Sequence, residues 1–343
     1  MKIAIFETEP WEQEAFLRLA PAHEVACHQE RLEAATAPRA GDADVVSVFV
    51  HSDLGATVLD QLPRLRLIAT RSTGFDHIDL GRCAARGIAV ANVPDYGDHS
   101  VAEHAFALLL AVIRRILPAA ERTRRGDFSQ TGLRGFELHG RTLGVVGTGR
   151  IGRRAVAIGR GFGMRVLAFD ARPDPAAAAA LGFSYVPLDT LLAEADAVTL
   201  HVPGGPGTHH LISDAELARM KPGAVLVNTA RGSVVDAAAL VRALDAGRLA
   251  GAGLDVLPEE PLVRDEAQIF HDQAVLDSER LRGLLAGHAL LRFPNVVVTP
   301  HVAYNTEEAS HRILATTLEN IEAFAQGAPR NLVPLVPALP TGS

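Results

Sequence analysis

The sequence is poor in the features that mark secreted and membrane-spanning proteins. Its two cysteines among 343 residues, Cys27 and Cys83, are too few for a disulfide framework and belong to no C-x-x-C pair. The most apolar helix-like stretch, residues 105–113, is far shorter than the roughly 20 residues that cross a bilayer. Residues 1–6 have the pattern of a first strand, not of a signal peptide. We therefore expect a cytoplasmic protein with no membrane partner.

Charge of one sign is not concentrated anywhere in the chain. The net charge is −7 at pH 7 and the basic residues are scattered, so no nucleic-acid partner is expected. The 48% hydrophobic and 21% charged fractions are ordinary for a globular protein. His209 and His210 resemble a metal-binding pair, but the side chains of adjacent residues diverge in most backbones. We therefore predict a loop at this position and no metal site.

Short β-branched runs alternate with helical patterns almost from end to end, which is typical of parallel βαβ construction. The chain is long enough for two such domains. Near-continuous apolar strands belong in sheets covered on both faces, so we predict an α/β fold of two Rossmann-like, doubly wound domains, the first of them flavodoxin-like. The predicted strands are residues 3–6, 45–49, 67–70 and 89–92, then residues 143–146, 165–170, 197–201, 224–228, 251–256 and 296–299.

Two long helical patterns divide the chain. One begins at Ser100, which forms an S-x-x-E capping box with Glu103, and it ends near Leu117 because Pro118 follows. The other spans about residues 306–326. We expect both to be crossings between the domains.

The chain then returns to its first domain at its end. We predict a discontinuous first domain of residues 1–99 and 300–343 and a second domain of residues 100–299. A cleft between the two is expected to bind the ligands. Residues 122–140 are expected to form a surface arm and residues 262–292 a surface insertion.

A glycine-rich turn follows the predicted strand 143–146 directly and opens a helix. A G-x-G-x-x-G pattern alone is a weak signal, but this strand–turn–helix context is the one that a dinucleotide site requires. The first two glycines permit close approach of the backbone to a pyrophosphate, and the third permits close helix–strand packing. The helix N-terminus favours the phosphates. The turn consists of Gly147, Thr148, Gly149, Arg150, Ile151 and Gly152.

Asp170 ends the next predicted strand, 18 residues after Gly152. A carboxylate at this position accepts hydrogen bonds from ribose hydroxyls and repels a 2′-phosphate, so NAD is favoured over NADP. The nearby Arg172 weakens that preference.

Three unlike side chains follow predicted strands in the second half of the chain. Arg231 can hold a carboxylate with two parallel hydrogen bonds and polarise a neighbouring carbonyl. His301 can donate a proton to an alkoxide as a hydride arrives, and take it back in the reverse direction. A carboxylate against the imidazole would favour its protonated form. Glu259 and Glu260 are both placed for that task, and the residues alone do not separate them.

These residues stand among ordered motifs that cover nearly the whole chain and resemble the D-2-hydroxyacid dehydrogenase family, most closely its D-lactate dehydrogenase branch. The motifs are R-S-T-G-F-D at 71–76, V-P-D-Y at 93–96, S-V-A-E-H at 100–104, the glycine turn at 147–152, H-V-P at 201–203, N-T-A-R-G at 228–232, G-L-D-V at 253–256 and T-P-H-V-A-Y at 299–304.

The resemblance implies a role for each matching residue. It implies Arg231, Glu260 and His301 as the catalytic residues, and so selects Glu260 over Glu259. Substrate contacts are implied at Thr73, Gly74, Tyr96 and Tyr304. Cofactor contacts are implied at Val101, the six residues of the glycine turn, Asp170, His201, Val202, Pro203, Thr208, Thr229, Ala230, Arg231, Asp255 and His301. In the family the arm region contributes to dimer contacts, so a homodimer is expected.

The function that these expectations predict is reversible hydride transfer between NADH and a small 2-oxo acid. Pyruvate and D-lactate are the expected pair, because residues 262–292 resemble the extension of the lactate branch. The motif P-E-E-P at 258–261 resembles the glycerate-type members instead, so a glyoxylate or hydroxypyruvate reductase is the first alternative. A non-catalytic NAD(H)-sensing protein of the same fold is the second.

Overall fold

A computed structural model describes residues 1–258, 260, 263 and 278–335. The chain divides into two compact units, one of Met1–Tyr96 with Thr306–Ser343 and the other of Gly97–Asn305. The sequence-based prediction places its two domain boundaries at residues 99/100 and 299/300.

The first unit is built on a five-stranded parallel sheet. The strand order is β2-β1-β3-β4-β5, which is a doubly wound arrangement because the chain turns back across the first strand. Four of these strands match predicted ones, and β2 was missed because E-V-A-C alternates exposed and half-buried residues at the edge of the sheet. The strands are β1 Lys2–Ile5, β2 Glu24–Cys27, β3 Val45–Val48, β4 Leu67–Thr70 and β5 Ala89–Ala91.

Helices cover both faces of this sheet. One apolar core surrounds Phe6, Val46 and Ile68, and a second surrounds Ile5, Phe16 and Leu67. The helices are α1 Pro10–Phe16, α2 Ala56–Leu59, α3 Leu80–Arg86 and the long C-terminal α12 Glu307–Ala325.

The second unit contains a seven-stranded parallel sheet. Its order is β12-β11-β10-β9-β6-β7-β8, so the direction of winding reverses between β6 and β9. All six predicted strands are present, and the two-residue β8 at the edge is additional. The strands are β6 Thr142–Val146, β7 Arg165–Phe169, β8 Ser184–Tyr185, β9 Ala197–Leu200, β10 Ala224–Asn228, β11 Leu249–Leu254 and β12 Val296–Val298. The doubly wound α/β prediction is confirmed.

The helices of this unit also lie on both faces of its sheet, with one core around Leu200 and Leu226 and another around Val145 and Val225. They are α4 Asp98–Ile113, α5 Ile116–Arg124, α6 Arg150–Gly161, α7 Pro175–Leu181, α8 Leu188–Glu194, α9 Asp214–Arg219, α10 Ala237–Asp245 and α11 Ser278–Leu290. Within the described ranges, no helix is both long and apolar enough to cross a membrane.

The predicted start and end of the first long helix are wrong. Helix α4 begins two residues before Ser100, with Gly97 as the N-cap, and Ser100 lies buried inside it. The helix ends before Arg115, whose φ of 53° is left-handed, and Pro118 lies in the first turn of α5. Proline is tolerated there because the first-turn N–H groups have no partner within the helix.

Part of the predicted insertion at 262–292 lies outside the described residues. Its described end forms α11, whose Leu284, Ala286 and Leu290 are buried. Ala286 and Leu290 pack into the core around Leu226. One side of α11 therefore packs against the core of the second unit, to which this helix belongs.

Candidate active site

The glycine turn that follows β6 admits no side chain at two of its three glycines. A Cβ on Gly147, whose φ is 93°, would lie 2.6 Å from the carbonyl oxygen of His201. A Cβ on Gly152 would lie 2.0 Å from the carbonyl oxygen of Gly147. Gly149 is the N-cap of α6 and has nothing within 4 Å of a Cβ position. The turn is therefore closed towards the protein and open at the helix N-terminus, where an anion binds favourably.

Asp170 follows β7 and braces this turn. Its carboxylate accepts hydrogen bonds from the Thr148 N–H at 2.6 Å, from the Thr148 hydroxyl at 2.9 Å and from the Arg172 N–H at 2.8 Å. Burial raises the pKa of the Asp170 carboxyl, but the bonds from Thr148 and Arg172 outweigh burial and leave the pKa below its usual value. A negative charge is therefore fixed beside the turn.

Sequence reasoning missed Tyr185 as part of this arrangement. The Tyr185 hydroxyl lies 2.7 Å from the Thr148 hydroxyl, which itself donates to Asp170. Tyr185 stands on the edge strand β8, and no motif or spacing marks it. Only the pairing of β8 with β7 brings it to the turn.

Arg231 follows β10, and Asn228 fixes its backbone. The Asn228 amide donates to the Arg231 carbonyl at 2.9 Å and accepts from the Ala230 N–H at 3.0 Å. The next residue, Gly232, has no room for a side chain, because a Cβ would lie 2.2 Å from the Leu257 carbonyl oxygen. The N-T-A-R-G motif therefore sets the direction in which the guanidinium leaves the strand.

His301 follows β12 in a strained turn. Its φ of 56° is left-handed, a conformation that residues with a Cβ rarely adopt. Its N–H donates to the carbonyl oxygens of Asp255 at 2.9 Å and Thr299 at 3.0 Å. The Asp255 carboxylate, which is buried, accepts from the N–H groups of Val302 at 3.0 Å and Ala303 at 2.8 Å and from the Thr299 hydroxyl.

A second histidine, His104 on α4, supports the same turn. Its Nε2 lies 2.9 Å from the Thr299 hydroxyl and 3.4 Å from an Asp255 carboxylate oxygen. Burial raises the pKa of Asp255, but hydrogen bonds from His104, Thr299 and the turn outweigh it, so the pKa lies below its usual value. In the sequence analysis His104 is only the last residue of the S-V-A-E-H motif, and no role is predicted for it.

Glu260 and His301, which the sequence analysis expects to act together as acid and base, lie in direct contact. Glu260 Oε2 lies 3.0 Å from His301 Nδ1, and Glu260 Oε1 accepts from the Leu257 N–H at 2.8 Å. Both side chains are about one-third exposed, at 33% and 34%. Since Nδ1 faces the carboxylate, Nε2 is the ring nitrogen left to exchange a proton with a ligand. Glu259 lies outside the described residues.

The remaining residues assigned to the cofactor lie at the same edge of the sheet. His201 follows β9, and burial lowers its pKa to about 4, so this imidazole is neutral. The Thr208 hydroxyl donates to the Pro203 carbonyl at 2.6 Å. Thr229 and Ala230 are buried after β10. Val101 lies in the first turn of α4. Tyr304, which is assigned to the substrate, lies three residues beyond His301.

The carboxyl ends of six neighbouring strands therefore carry the predicted groups. They run from His301 after β12, through Asp255 and Arg231 after β11 and β10, to His201 and the glycine turn after β9 and β6, and end with Asp170 after β7. Because winding reverses between β6 and β9, this edge contains the position at which ligands bind in open α/β sheets.

Three predicted substrate residues lie in the first unit. The Thr73 hydroxyl donates to the Val93 carbonyl at 2.8 Å, and the Ser72 hydroxyl donates to the Gly74 carbonyl at 2.6 Å. The N–H groups of Thr73 and Gly74 donate to no protein acceptor among the described residues. Tyr96 is buried, and its carbonyl accepts two hydrogen bonds from the guanidinium of Arg312 on α12.

Arg71 precedes this turn and is a buried cation that sequence reasoning did not assign a role. It is 1% exposed, and its guanidinium donates to the carbonyl oxygens of Phe6 at 2.9 Å and Glu7 at 2.6 Å. Arg71 thus ties the end of β4 to the end of β1, which holds the backbone that carries Thr73.

Comparison with known proteins gives a consistent result. Residues 106–303 match the family described as D-isomer specific 2-hydroxyacid dehydrogenase, NAD binding domain. The chain is 40% identical over 340 residues to D-lactate dehydrogenase kk1H of Curvularia clavata, covering 96% of this chain and 94% of the relative. It is 39% identical over 300 residues to a glyoxylate reductase of Korarchaeum cryptofilum, covering 86% and 84%.

Solved structures include a D-lactate dehydrogenase from Aquifex aeolicus in complex with NAD and lactic acid. It superimposes with a TM-score of 0.84 at 35% sequence identity, covering 95% of this chain and 96% of that one.

Proposed function

The chain belongs to the D-isomer specific 2-hydroxyacid dehydrogenase family, and from that premise we propose that it interconverts pyruvate and D-lactate. The enzyme is an NAD-dependent oxidoreductase that acts on the CH–OH group of a 2-hydroxy acid. The observation that carries the proposal is the 3.0 Å contact between Glu260 and His301 at the carboxyl edge of a Rossmann sheet.

The residues at this edge fit NAD. In the turn at 147–152, Gly147 and Gly152 pack closely against backbone carbonyls, and Gly149 leaves open space at the N-terminus of α6, where a pyrophosphate can approach. The ionised Asp170 suits a ribose with free hydroxyls better than one carrying a 2′-phosphate. The buried Thr229 hydroxyl has no partner within the described part of the protein, and a buried hydroxyl of this kind needs a hydrogen bond. Bound NADH supplies the hydride that reduces the 2-oxo carbon.

We propose that His301 supplies the proton. Its Nε2–H donates to the substrate oxygen as that oxygen gains negative charge, and it takes the proton back when a 2-hydroxy acid is oxidised. Glu260 holds Nδ1, which fixes the orientation of the ring and leaves Nε2 directed to the ligand. The left-handed turn at His301 keeps the ring in place throughout.

We propose that Arg231 binds the substrate carboxylate and polarises the 2-oxo group. The N-T-A-R-G turn supports this role, because the Asn228 side chain hydrogen-bonds to the backbone of both Ala230 and Arg231 and so holds the turn rigid. The unused N–H groups of Thr73 and Gly74 support their proposed role as further donors to the carboxylate. Tyr96 and Tyr304 are proposed as substrate contacts from the motifs in which they stand.

A substrate panel tests the proposal. Loss of NADH absorbance is measured with pyruvate, phenylpyruvate, glyoxylate and hydroxypyruvate, and the highest kcat/KM is expected for pyruvate. A preference for glyoxylate or hydroxypyruvate would favour a glyoxylate/hydroxypyruvate reductase, which the P-E-E-P motif and the Korarchaeum cryptofilum relative support. Binding of NADH without turnover of any 2-oxo acid would favour a sensor and overturn the proposal.

We also propose a homodimer in the cytoplasm. Helix α5 has no buried residue, and the apolar side chains of Ile116, Leu117 and Phe128 are exposed. A dimer that covers the arm would bury them. Sedimentation equilibrium of the wild type and of Phe128→Asp tests this, with weakened association expected for the variant. The cytoplasmic location rests on the two unpaired cysteines.

A further inference from the structure

The loop after β9 carries two histidines whose rings stack. The centroids of His209 and His210 are 4.0 Å apart and the ring planes are inclined by 26°. The expectation that these adjacent side chains diverge is therefore wrong. The left-handed φ of 50° at His210 explains the difference, because it takes this residue out of the extended backbone in which neighbouring side chains point apart.

A carboxylate lies beside the stacked rings. Glu279, in the first turn of α11, has an oxygen 4.0 Å from His209 Nε2. One ligand atom from each of the three side chains lies within 4.8 Å of the other two. We propose that His209, His210 and Glu279 form a binding site for Zn²⁺, with water as the fourth ligand.

The backbone of the loop is already fixed. The His210 N–H donates to the Ser233 carbonyl at 2.8 Å, the His209 N–H donates to the Gly205 carbonyl at 3.0 Å, and the Leu211 N–H donates to the Thr208 carbonyl at 3.2 Å. Only side chains therefore have to move when the ion binds. Ligand atoms in a tetrahedral zinc site lie about 3.4 Å apart. Since His209 and Glu279 are 50% and 71% exposed, rotation of their side chains can close that distance.

The ligand set selects the class of ion. Two imidazole nitrogens and one carboxylate oxygen are typical ligands of zinc and of neighbouring transition metals, whereas magnesium and calcium prefer oxygen alone. Zinc has no strong geometric preference of its own and accepts a flexible three-ligand surface site.

The ion would join the loop to α11. A Cβ on Gly204 in this loop would lie 3.0 Å from Arg231 Cγ, so the loop packs against the side chain of the proposed substrate arginine. Zinc would therefore restrain the loop beside Arg231 without touching that residue. The site itself does not depend on the proposed reaction.

Zinc affinity of the full chain is the direct test. The protein is stripped with a chelator, and Zn²⁺ alone is titrated in competition with a chromogenic chelator. We expect one ion per chain, a higher melting temperature with Zn²⁺, and an affinity lowered by at least roughly tenfold in His209→Asn, His210→Asn and Glu279→Gln. His311→Asn, an exposed histidine in the first unit, is the matched control and should bind like the wild type.

Each other outcome contradicts the site. Absence of binding, or binding that all three variants retain, would mean that no zinc is held there. Loss in the histidine variants with unchanged affinity in Glu279→Gln would reduce the site to an adventitious histidine pair. Melting temperatures without metal show whether each variant is folded. A Co²⁺ spectrum with the strong visible bands of tetrahedral coordination is expected of the wild type and not of Glu279→Gln.

Discussion

Asp255 holds His301 through the backbone. The His301 N–H donates to the Asp255 carbonyl at 2.9 Å, and the Asp255 carboxylate accepts from the N–H groups of Val302 and Ala303. A left-handed residue with a side chain costs of order 1 kcal/mol, so the φ of 56° at His301 needs these bonds. The imidazole therefore meets Glu260 because a buried carboxylate that directly follows the neighbouring strand β11 fixes the turn.

Replacement of His301 by alanine should abolish most of the turnover. We expect kcat for 2-oxo acid reduction to fall by about 10²- to 10⁴-fold, because the proton donor is lost. NADH affinity, measured by fluorescence titration, should fall far less than kcat, since the glycine turn and Asp170 are unchanged. His311→Ala, an exposed histidine in the other unit, is the control. Near-normal turnover in His301→Ala would remove this residue from the mechanism.

Arg231→Lys should weaken use of the 2-oxo acid. Lysine keeps the positive charge but cannot make two parallel hydrogen bonds to a carboxylate. We expect kcat/KM for the 2-oxo acid to fall by about 2 kcal/mol in transition-state free energy, or roughly 30-fold. The fold of this variant is checked by its melting temperature. An unchanged kcat/KM would show that Arg231 is a structural arginine and not a substrate contact.

Alanine substitutions at two glycines of the turn should differ in their effects on stability and on cofactor binding. A Cβ in Gly152→Ala meets the Gly147 carbonyl oxygen at 2.0 Å, so we expect a lower melting temperature together with weaker NADH binding. Gly149→Ala meets nothing within 4 Å and loses only the N-cap preference for glycine, so its melting temperature should fall much less than that of Gly152→Ala.

NADH affinity should still fall in Gly149→Ala, because the methyl group stands where the pyrophosphate approaches. Gly161→Ala, at the end of α6 with equally open space, is the matched control and should bind NADH normally. Wild-type affinity in Gly149→Ala would place the phosphates elsewhere.

Much of the fold could be predicted because its signals are local. Apolar strands, turn glycines and the residues that follow each strand are readable in order along the chain, and parallel strands bring those residues to one edge. The domain limits and the individual site roles stay predictions.

The parts that were missed depend on distant contacts or on backbone conformation. Asp255 meets the His301 turn from 44 to 48 residues away, and Tyr185 reaches Thr148 across two strands. The left-handed backbone at Arg115 and His210 leaves no sign in composition, so the end of α4 and the stacking of His209 on His210 were not foreseen.

His201 should make the unfolding free energy sensitive to mild acid. Its pKa is about 4 in the folded chain, against 6.5 for an ordinary histidine, because burial disfavours the imidazolium. The unfolded chain therefore binds the proton first as pH falls below about 6.5, and stability that is fully present above this pH is lost down to about pH 4. Between pH 7 and pH 5 this single group should lower the unfolding free energy by roughly 2 kcal/mol.

His201→Gln isolates that contribution. Urea unfolding is measured at pH 7 and pH 5 for the wild type and the variant. Other groups contribute equally to both proteins, so the variant should lose less stability on acidification, even if glutamine makes it less stable at pH 7. A double difference near zero would mean that His201 titrates alike in the folded and unfolded chains, and that burial does not hold its imidazole neutral.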